Sequence, residues 1–227
     1  MLKKAKLINK NCATNNVTEF TFLADEDFIF TPGQFINISI EDKQDFPCFR
    51  AYSISSDPKE KTFSLCVKVV ENGRGSNWLN NLKLGSTIRF LGPIGNFYYK
   101  QNKNDICFIC TGTGIAPFKS MIPEILKAEH KKKVTLIEGV RTQKDILYEK
   151  FFSELGKKYK NFSFLVTLSG EPDNKNYQQG RVTQNLEKYL NPNLDYYLCG
   201  TKPMIEDCIK IFSENLIKKE NIFFEKF

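Results

Sequence analysis

The second half of the chain alternates short apolar runs with amphipathic stretches, and no other feature constrains its fold as strongly. The apolar runs are DICFIC, KVTLIEGV, FSFLVTLS and DYYLCG, and IFFEKF follows the last amphipathic stretch. That last stretch places four apolar residues at helical spacing: Ile205, Ile209, Phe212 and Leu216. Strands that alternate with helices predict a parallel sheet with helices on both of its faces.

The first hundred residues show a different pattern. Turn clusters such as TPG and ENGRGS separate short segments of strand character: VTEFTFLAD, QFINISIED, RAYSISSD, TFSLCVKVVE and STIRFLGP. Short strands joined by turns that contain glycine and proline predict an antiparallel barrel or sandwich. One short helix is predicted at SNWLNNL. The pattern changes near YYKQNKND, which predicts two domains, residues 1–100 and 101–227.

The charge balance leaves several classes of partner open. The chain has 33 Lys and Arg against 26 Asp and Glu, a net charge of +7. Such a surplus attracts nucleic acid, anionic membrane or an acidic protein, or it forms a solvated surface. The lysines are dispersed and no aromatic–basic motif accompanies them, so nucleic-acid binding is not expected. No apolar run has the length of a membrane span, and the N-terminus lacks the apolar region of a signal peptide.

The cysteines and the histidine exclude several kinds of site. Seven cysteines without paired short spacings argue against a disulfide framework, and this favours a reducing cytoplasm. Cys107 and Cys110 form a C-x-x-C pair, but in a strand their thiols point to opposite faces, so no metal or redox pair is expected. His130 is the one histidine, which argues against a catalytic triad and a multi-histidine metal site. The chemistry then has to come from another group or from a cofactor.

A glycine-containing turn follows the first strand of the second half. The sequence TGTGIAPF places Gly112 and Gly114 in the turn and Pro117 in the first turn of the next helix. Free N–H groups at such a turn bind an anion, and a pyrophosphate fits. The turn is neither G-x-G-x-x-G nor a Walker loop, and two glycines alone also occur in purely structural turns. Its place at the carboxyl end of a strand favours nucleotide binding.

Six motifs occur along the chain in the order found in one known family. They are PGQF, RAYSISS, SLCVKVVENGRGSNWL, GPIGNF, GTGIAPFKSMI and YYLCGTKPM. They run from Pro32 to Met204, and over nearly its whole length the chain resembles the ferredoxin–NADP reductase family. The resemblance implies an N-terminal flavin-binding barrel and a C-terminal α/β domain that binds a nicotinamide nucleotide.

The resemblance also implies residues that hold the flavin. Arg50 resembles an arginine that binds a flavin phosphate, Tyr52 a tyrosine that lies against the isoalloxazine ring, and Ser53 a serine that faces flavin N5. For Tyr52 and Ser53 both to reach the flavin, the strand must end or distort there. Further residues implied at the flavin are Ala51, Val67, Lys68, Gly73, Arg74, Gly75 and Ser76. Ser76 is also expected to cap the short helix.

FMN stays an alternative to FAD on the same comparison. Plant-type members of the family carry a longer segment with an aromatic residue that stacks on the FAD adenine. This chain has only VVENG at that place. The resemblance therefore implies FAD, with FMN as the lesser possibility.

The same comparison implies residues that hold the nicotinamide nucleotide. Around the pyrophosphate they are Thr111, Gly112, Thr113, Gly114 and Pro117, and beside the nicotinamide they are Cys199 and Gly200. In NADP-preferring members a serine and a K-x-Y-x-Q-x-R pattern grip the 2′-phosphate, and here these are Ser169, Lys175, Tyr177, Gln179 and Arg181. Gly170 stands where the family has an arginine, so Arg141 is expected to supply that charge. NADP(H) is favoured, with NADH left open.

The implied activity is hydride transfer between NADP(H) and flavin, followed by single-electron transfer with a protein acceptor. An acidic ferredoxin or flavodoxin suits the net charge of +7. The implied catalytic residues are Ser53, Cys199 and Glu225, with no metal. Glu225 and Phe227 resemble a family ending of Glu, one residue and an aromatic ring that covers the flavin until nicotinamide displaces it. The alternative for Phe227 is core packing in a final edge strand, which is what we expect of Phe223.

Other functions stay open at this point. One is an NAD(P)H:flavin reductase that uses free flavin as its substrate. Another is an electron-transfer subunit of a larger complex, although the C-terminal cysteine cluster of such members is missing. A third, from a different class, is a nucleotide-binding module without flavin.

Overall fold

The computed structural model describes residues 2–42, 46, 48–58, 61–129, 131–171 and 175–227. His130, the residue on which the argument against a histidine site rests, lies outside these ranges. Within them, no helix is both long and apolar enough to cross a membrane.

The first half of the chain folds into a six-stranded antiparallel sheet. The strands are β1 (Lys3–Thr14), β2 (Val17–Ala24), β3 (Phe35–Ile40), β4 (Cys48–Ser53), β5 (Thr62–Lys68) and β6 (Thr87–Ile94), and helix α1 (Arg74–Asn81) lies between β5 and β6. Their order in the sheet is β4-β3-β6-β1-β2-β5. An antiparallel bridge between Ile54 and Leu65 joins the end of β4 to β5, so the sheet closes. The predicted antiparallel barrel is confirmed.

Phenylalanine rings fill much of the barrel interior. Phe28, Phe63 and Phe90 are buried with ring centroids 4.7 to 5.5 Å apart. Phe90 alternates with exposed residues along β6, whereas Phe63 lies in a run of five buried residues in β5 and Phe28 precedes β3. Strand β1 was missed by the sequence reasoning, although it lies between β6 and β2. Its only fully buried side chains are Ala5 and Leu7, which leave too short an apolar pattern to stand out among lysines and asparagines.

The second half forms a parallel sheet. Its strands are β7 (Asp105–Thr111), β8 (Val134–Val140), β9 (Phe162–Leu168), β10 (Gln178–Gln179), β11 (Leu194–Gly200) and β12 (Ile222–Lys226), in the order β10-β9-β8-β7-β11-β12. Its helices are α2 (Ala116–Ala128), α3 (Glu149–Lys158), α4 (Val182–Asn185) and α5 (Lys202–Glu214). Phe152 of α3 packs on Phe164 of β9, whereas Ile205 of α5 packs in the cluster that contains Ile109 of β7. These contacts confirm helices on both faces.

Helix α5 ends earlier than the apolar spacing predicts. Ile205 and Phe212 are buried as expected, but the helix ends at Glu214. Leu216 follows in a left-handed conformation, with φ at 57°, and its side chain is 86% exposed. The expectation for Leu216 was wrong because the chain turns at this point. Ile217 is buried instead, and its N–H donates to the Phe212 carbonyl oxygen.

The chain divides into two compact units. One runs to Tyr99 and also includes Ala116–Met121, and the other consists of Lys100–Ile115 and Ile122–Phe227. The start of α2 therefore belongs to the barrel unit, where the Lys119 ammonium lies 3.0 Å from the Glu19 carboxylate. The domain limits 1–100 and 101–227 inferred from the sequence stay a prediction.

The two cysteines of the C-x-x-C pair lie in different surroundings. Cys107 belongs to the cluster that α4 and α5 cover. Cys110 is aligned with Glu138 of β8 and Cys199 of β11, and burial raises the pKa of its thiol well above the ordinary value. The alternation of a strand thus separates the two thiols as predicted.

A fully buried carboxyl group lies in the middle of the parallel sheet. Glu138 is 0% exposed. Its Oε1 accepts a hydrogen bond of 3.0 Å from the Leu147 N–H, and its Oε2 has no hydrogen-bond partner among the described residues. Burial raises the pKa of this carboxyl well above its ordinary value of 4.5, and the nearby Glu149 adds to the effect. Glu138 therefore keeps its proton to a higher pH in the folded protein than in the unfolded chain.

The raised pKa of Glu138 makes stability fall as the pH rises. Between pH 4.5 and the higher pKa that Glu138 has in the folded protein, the unfolded chain loses the Glu138 proton while the folded protein keeps it. In that range the unfolded state binds fewer protons, so the free energy of unfolding decreases as the pH rises. The limiting slope is about 1.4 kcal/mol per pH unit. Urea unfolding from about pH 5 to about pH 8 should show that Glu138→Gln removes this slope and stabilises the protein at neutral pH. Glu187→Gln, which changes an exposed acid, is the control and should keep the slope. Equal slopes for all three proteins would contradict the assignment.

Candidate cofactor and nucleotide sites

The end of strand β4 and the start of helix α1 meet in the barrel unit. A Cβ atom on Gly75 would lie 2.6 Å from Arg50 Cγ and 3.0 Å from the Tyr52 hydroxyl oxygen. Only glycine allows this approach. The structure thus brings together three of the predicted flavin residues, Arg50, Tyr52 and Gly75. The Arg50 guanidinium is at the surface and donates one hydrogen bond, of 2.9 Å, to the Phe49 carbonyl oxygen.

Helix α1 presents backbone donors beside Arg50. Gly73 is its N-cap and provides no side-chain cap, so the N–H groups of Arg74, Gly75 and Ser76 lack partners within the helix. Ser76 does not cap the helix, and that expectation was wrong. It lies in the third helical position, where its hydroxyl donates to the Gly73 carbonyl and accepts from the Val70 N–H. It therefore fixes the turn that leads into the helix.

The side chain of Arg74 is engaged within the protein. Its guanidinium donates two hydrogen bonds of 2.6 Å to the Asp42 carboxylate and one of 2.8 Å to the Phe46 carbonyl oxygen. The Arg74 side chain thus holds Asp42 and Phe46 after β3, whereas its backbone N–H has no partner within the helix.

The remaining predicted flavin residues lie on or next to β4 and β5. Tyr52 is half-buried, and burial raises the pKa of its hydroxyl to about 12. Strand β4 ends at Ser53, and both Tyr52 and Ser53 are still paired with β3 in regular register. That both side chains reach a flavin stays a prediction. Ala51 is exposed. Val67 packs in the barrel core and Lys68 is exposed at the end of β5, so Val67 has only its backbone to offer a ligand.

These residues fit a flavin that carries phosphate groups. A surface guanidinium, the free N–H groups of a helix start and a glycine that leaves space between them form a donor set suited to an anion. The half-buried Tyr52 ring lies next to that donor set and offers an apolar surface.

The turn after β7 forms the corresponding site of the second unit. Gly112–Ile115 makes one 3₁₀ turn, α2 starts at Ala116, and Pro117 lies in its first turn. Gly112 has φ at 52°, and a Cβ there would meet no atom within 4 Å. A Cβ on Gly114 would lie 2.2 Å from the Cys199 carbonyl oxygen. Gly114 therefore allows the turn to lie against the end of β11, and Gly112 leaves its outer side open, as a bound pyrophosphate requires.

This turn lies where the strand order reverses. The chain proceeds from β7 to β8 and β9 on one side and returns to β11 on the other side of β7. Ligands of open parallel sheets bind at the carboxyl ends of strands at such a position. Thr111 ends β7 there, and its buried hydroxyl has no partner among the described residues. Thr113 lies within the 3₁₀ turn.

Cys199, Gly200, Glu225 and Phe227 are brought together at the ends of β11 and β12. Cys199 is aligned with Glu225 in the parallel pair. Burial raises the pKa of the Cys199 thiol well above its ordinary value, and Glu225 adds to the effect. The Phe227 N–H donates to the Gly200 carbonyl oxygen at 3.3 Å, and its ring is 64% exposed. Core packing of Phe227 is therefore excluded, whereas Phe223 stacks on Tyr197 as expected. The remaining residue of the implied catalytic set, Ser53, belongs to the barrel unit.

The segment after β9 contains the residues predicted at the 2′-phosphate. Ser169 donates to the Val140 carbonyl oxygen at 3.3 Å. A Cβ on Gly170 would lie 2.7 Å from Arg141 Cγ, so the missing side chain makes room for Arg141 beside Ser169. Lys175, Gln179 and Arg181 are exposed nearby in the sequence.

Tyr177 in this segment is tied to an acid that the sequence reasoning missed. Its hydroxyl donates a hydrogen bond of 2.6 Å to Glu149, and this bond is the main reason that its pKa is raised to about 12. The Gln143 N–H donates to Glu171 at 3.1 Å. Glu138 carried one available signal, since an acid inside the apolar run KVTLIEGV is unusual. Glu149 lies in the amphipathic stretch ILYEKFFSELGKKY, where an acid is ordinary. Their partners depend on the fold.

Comparisons with known proteins agree with this arrangement. Residues 4–99 match the oxidoreductase FAD-binding domain and residues 108–210 match the oxidoreductase NAD-binding domain. The chain is 32% identical over 201 residues to the toluate 1,2-dioxygenase electron transfer component of Pseudomonas putida, a match that covers 87% of this chain and 59% of that protein. The chain thus spans under two thirds of the length of the first curated relatives it matches.

Solved structures share the fold. A cytochrome P450 reductase from Amycolatopsis superimposes with a TM-score of 0.92 at 24% identity, covering 100% of this chain and 70% of that one. A ferredoxin NADP+ reductase from Neisseria gonorrhoeae with bound FAD and NADP gives a TM-score of 0.84 at 21% identity, covering 99% of this chain and 98% of that one. Since an FAD-binding domain and an NAD-binding domain follow each other along this chain, it belongs to the ferredoxin–NADP reductase-like oxidoreductases.

Proposed function

We propose that the protein is a flavoprotein reductase that exchanges hydride with NADP(H) at bound FAD and single electrons with ferredoxin or flavodoxin. The observation that carries the proposal is the pair of built anion sites. One is formed by Arg50 with the start of α1, and the other by the open turn at Gly112 after β7. The first site lies in the residues that match the FAD-binding domain, and the second lies in the residues that match the NAD-binding domain.

The residues of the barrel unit would hold the flavin. Bound FAD supplies hydride acceptance and single-electron release. Arg50 and the N–H groups of Arg74, Gly75 and Ser76 would bind its phosphates. Tyr52 would lie against the ring system, and Ser53 would place its hydroxyl at the ring.

The residues at the ends of β7, β11 and β12 would hold the nicotinamide nucleotide. The turn at Gly112, Thr113 and Gly114 would bind its pyrophosphate. Cys199 and Glu225, which are aligned in neighbouring strands, would orient the nicotinamide ring. The raised pKa of Cys199 keeps it a neutral thiol, so it contributes packing and a weak donor without a negative charge.

Arg141 supports a preference for NADP(H) over NADH. Gly170 leaves room for the Arg141 side chain next to Ser169, and a guanidinium suits a phosphate dianion. The family arginine that follows the serine would thus be replaced from another strand end.

The electron partner in this proposal is an acidic carrier protein. The net charge of +7 favours association with such a protein. The toluate dioxygenase relative is named an electron transfer component, which supports a role in delivery of electrons to another protein. We also place the protein in the reducing cytoplasm, because all seven cysteines are free thiols.

Purification of the protein and incubation with FAD distinguish two other functions from the proposed one. A reductase that uses free flavin would release its flavin on gel filtration, and a module without flavin would stay colourless after incubation with FAD.

The proposal predicts a yellow protein that NADPH bleaches in the absence of oxygen. Addition of oxidised ferredoxin or flavodoxin should restore the oxidised flavin spectrum. The measurement is an anaerobic visible titration with NADPH and, separately, with NADH, and the flavin released on denaturation should be FAD. A retained flavin that neither nucleotide bleaches would sink the proposal.

Arg141→Ala should weaken the use of NADPH and leave NADH unaffected. Loss of one charged contact to the 2′-phosphate should lower kcat/KM for NADPH by about tenfold. Steady-state rates with each nucleotide measure the change. Lys144→Ala removes a neighbouring exposed cation and should lower neither rate. Equal losses with NADPH and NADH would assign Arg141 a general role in binding.

Phe227→Ala should strengthen nucleotide binding and slow turnover. If the exposed ring competes with nicotinamide for a stacking surface, its removal ends that competition. Stacking of about 1.4 kcal/mol corresponds to about tenfold in Kd for NADP+. Titration of the flavin spectrum gives Kd, and steady-state kinetics gives kcat. Phe224→Ala, on the strand β12 that precedes Phe227, removes a ring that is also partly exposed, and it should change neither value. No effect of Phe227→Ala would leave that ring without a role.

A further inference from the structure

Tyr148, just before helix α3, adopts a backbone conformation that its side chain disfavours. Its φ is 57° and its ψ is 25°, in the left-handed region. A residue with a Cβ keeps this conformation only where its surroundings hold it, and such residues often occur near functional sites. The residues on either side of Tyr148, Leu147 and Glu149, are both held by hydrogen bonds.

Each of the two residues that flank Tyr148 forms a hydrogen bond in which an acid is the acceptor. On one side, the Leu147 N–H donates a hydrogen bond of 3.0 Å to Glu138 Oε1. On the other side, Glu149 Oε1 accepts a hydrogen bond of 2.6 Å from the Tyr177 hydroxyl. The backbone of three consecutive residues thus links the buried Glu138 to Tyr177. We refer to Glu138, Leu147, Tyr148, Glu149 and Tyr177 as the acid brace.

The acid brace is anchored in the core at one end. Glu138 is 0% and Leu147 is 1% exposed. Ile146, next to Leu147, is buried in a cluster with Val166 of β9. The ring of Tyr177 packs against this same cluster. Movement at Leu147 would therefore disturb the surface on which Tyr177 rests.

Further contacts join the same two segments. The Gly170 N–H donates to the Arg141 carbonyl oxygen at 2.8 Å, and the Gln143 N–H donates to Glu171 at 3.1 Å. The segment that leads into α3 is therefore tied to the segment after β9 at several points. Both segments carry residues proposed at the 2′-phosphate.

A hydrogen-bond acceptor at position 138 fits this role. The Glu138 carboxyl accepts the bond from the Leu147 N–H, and an amide oxygen could accept the same bond. An apolar residue would pack at that position but would leave the Leu147 N–H buried without a partner.

We propose that Glu138 is a positioning residue for NADP(H), which acts through Leu147 and Tyr148 to hold Tyr177 against the adenosine end of the nucleotide. Glu138 itself touches no nucleotide. This inference rests on the proposed function, which supplies the nucleotide. It adds a buried residue, distant in sequence from the K-x-Y-x-Q-x-R segment, on which that segment depends.

The test compares Glu138→Leu, Glu138→Gln and Tyr177→Phe in the flavin-containing protein. Glu138→Leu and Tyr177→Phe should each raise Kd for NADP+ and KM for NADPH by about five- to tenfold, the effect of one lost hydrogen bond. The value of kcat should stay within about twofold, because the residues that face the reacting rings are unchanged. Glu138→Gln keeps the acceptor and should bind NADP+ like the unaltered protein.

The double variant Glu138→Leu/Tyr177→Phe tests whether the two residues act through one structure. Its Kd for NADP+ should be no higher than the higher Kd of the two single variants, since the effects of coupled residues are not additive. Multiplied effects would overturn the inference, as would unchanged binding in Glu138→Leu. Equal losses in Glu138→Gln and Glu138→Leu would also overturn it, because the acceptor would then not matter.

Hydrogen exchange provides a measurement that does not depend on the folding of Glu138→Leu. Tyr177→Phe should speed exchange of the amides in residues 146–149, and NADP+ should slow exchange there in the unaltered protein. Unchanged exchange in Tyr177→Phe would overturn the inference. If the unaltered protein binds no NADP+ at all, the proposed function fails instead, so the two failures are distinguishable.

Discussion

The close contact between the turn after β7 and the end of β11 determines the geometry of the second unit. Gly114 lies so near the Cys199 carbonyl oxygen that any side chain would force the two strand ends apart. This contact places the open turn at Gly112 next to Cys199 and Gly200. The alignment of β11 with β12 then adds Glu225 to the same edge. One steric requirement thus brings the predicted pyrophosphate turn and the predicted nicotinamide residues to one place.

Most of the fold follows from patterns that the sequence displays directly. Apolar runs followed by amphipathic stretches predict the parallel sheet because each strand needs a helix to return the chain. Gly112, Gly114 and Pro117 mark the turn because few other residues permit that backbone. Strand β1 escaped detection because Ala5 and Leu7 are its only fully buried side chains. The end of α5 was misplaced because Leu216 fits the helical spacing but lies beyond a left-handed turn.

The sequence predicts a candidate site residue where the residue type alone suggests its role. It does not predict the role of a residue that depends on a partner brought near by folding. Arg50 and the glycines of both turns could be identified from their motifs. The engagement of Arg74 by Asp42 could not, because it joins residues of two elements that pack only in the folded barrel. The space that Gly170 leaves for Arg141 has the same origin, since it depends on the alignment of neighbouring strand ends.

Glu138 shows why a buried acid can persist at a cost to stability. It lowers the free energy of unfolding as the pH rises above 4.5, since the unfolded chain ionises this group more readily than the folded protein does. An apolar residue would remove that cost but would leave the Leu147 N–H without a partner, next to a Tyr148 backbone that is already strained. In our proposal the hydrogen bond to Leu147 keeps Tyr177 in place, so what the loop requires of position 138 is an acceptor. The ionisable group is the part that lowers the free energy of unfolding as the pH rises.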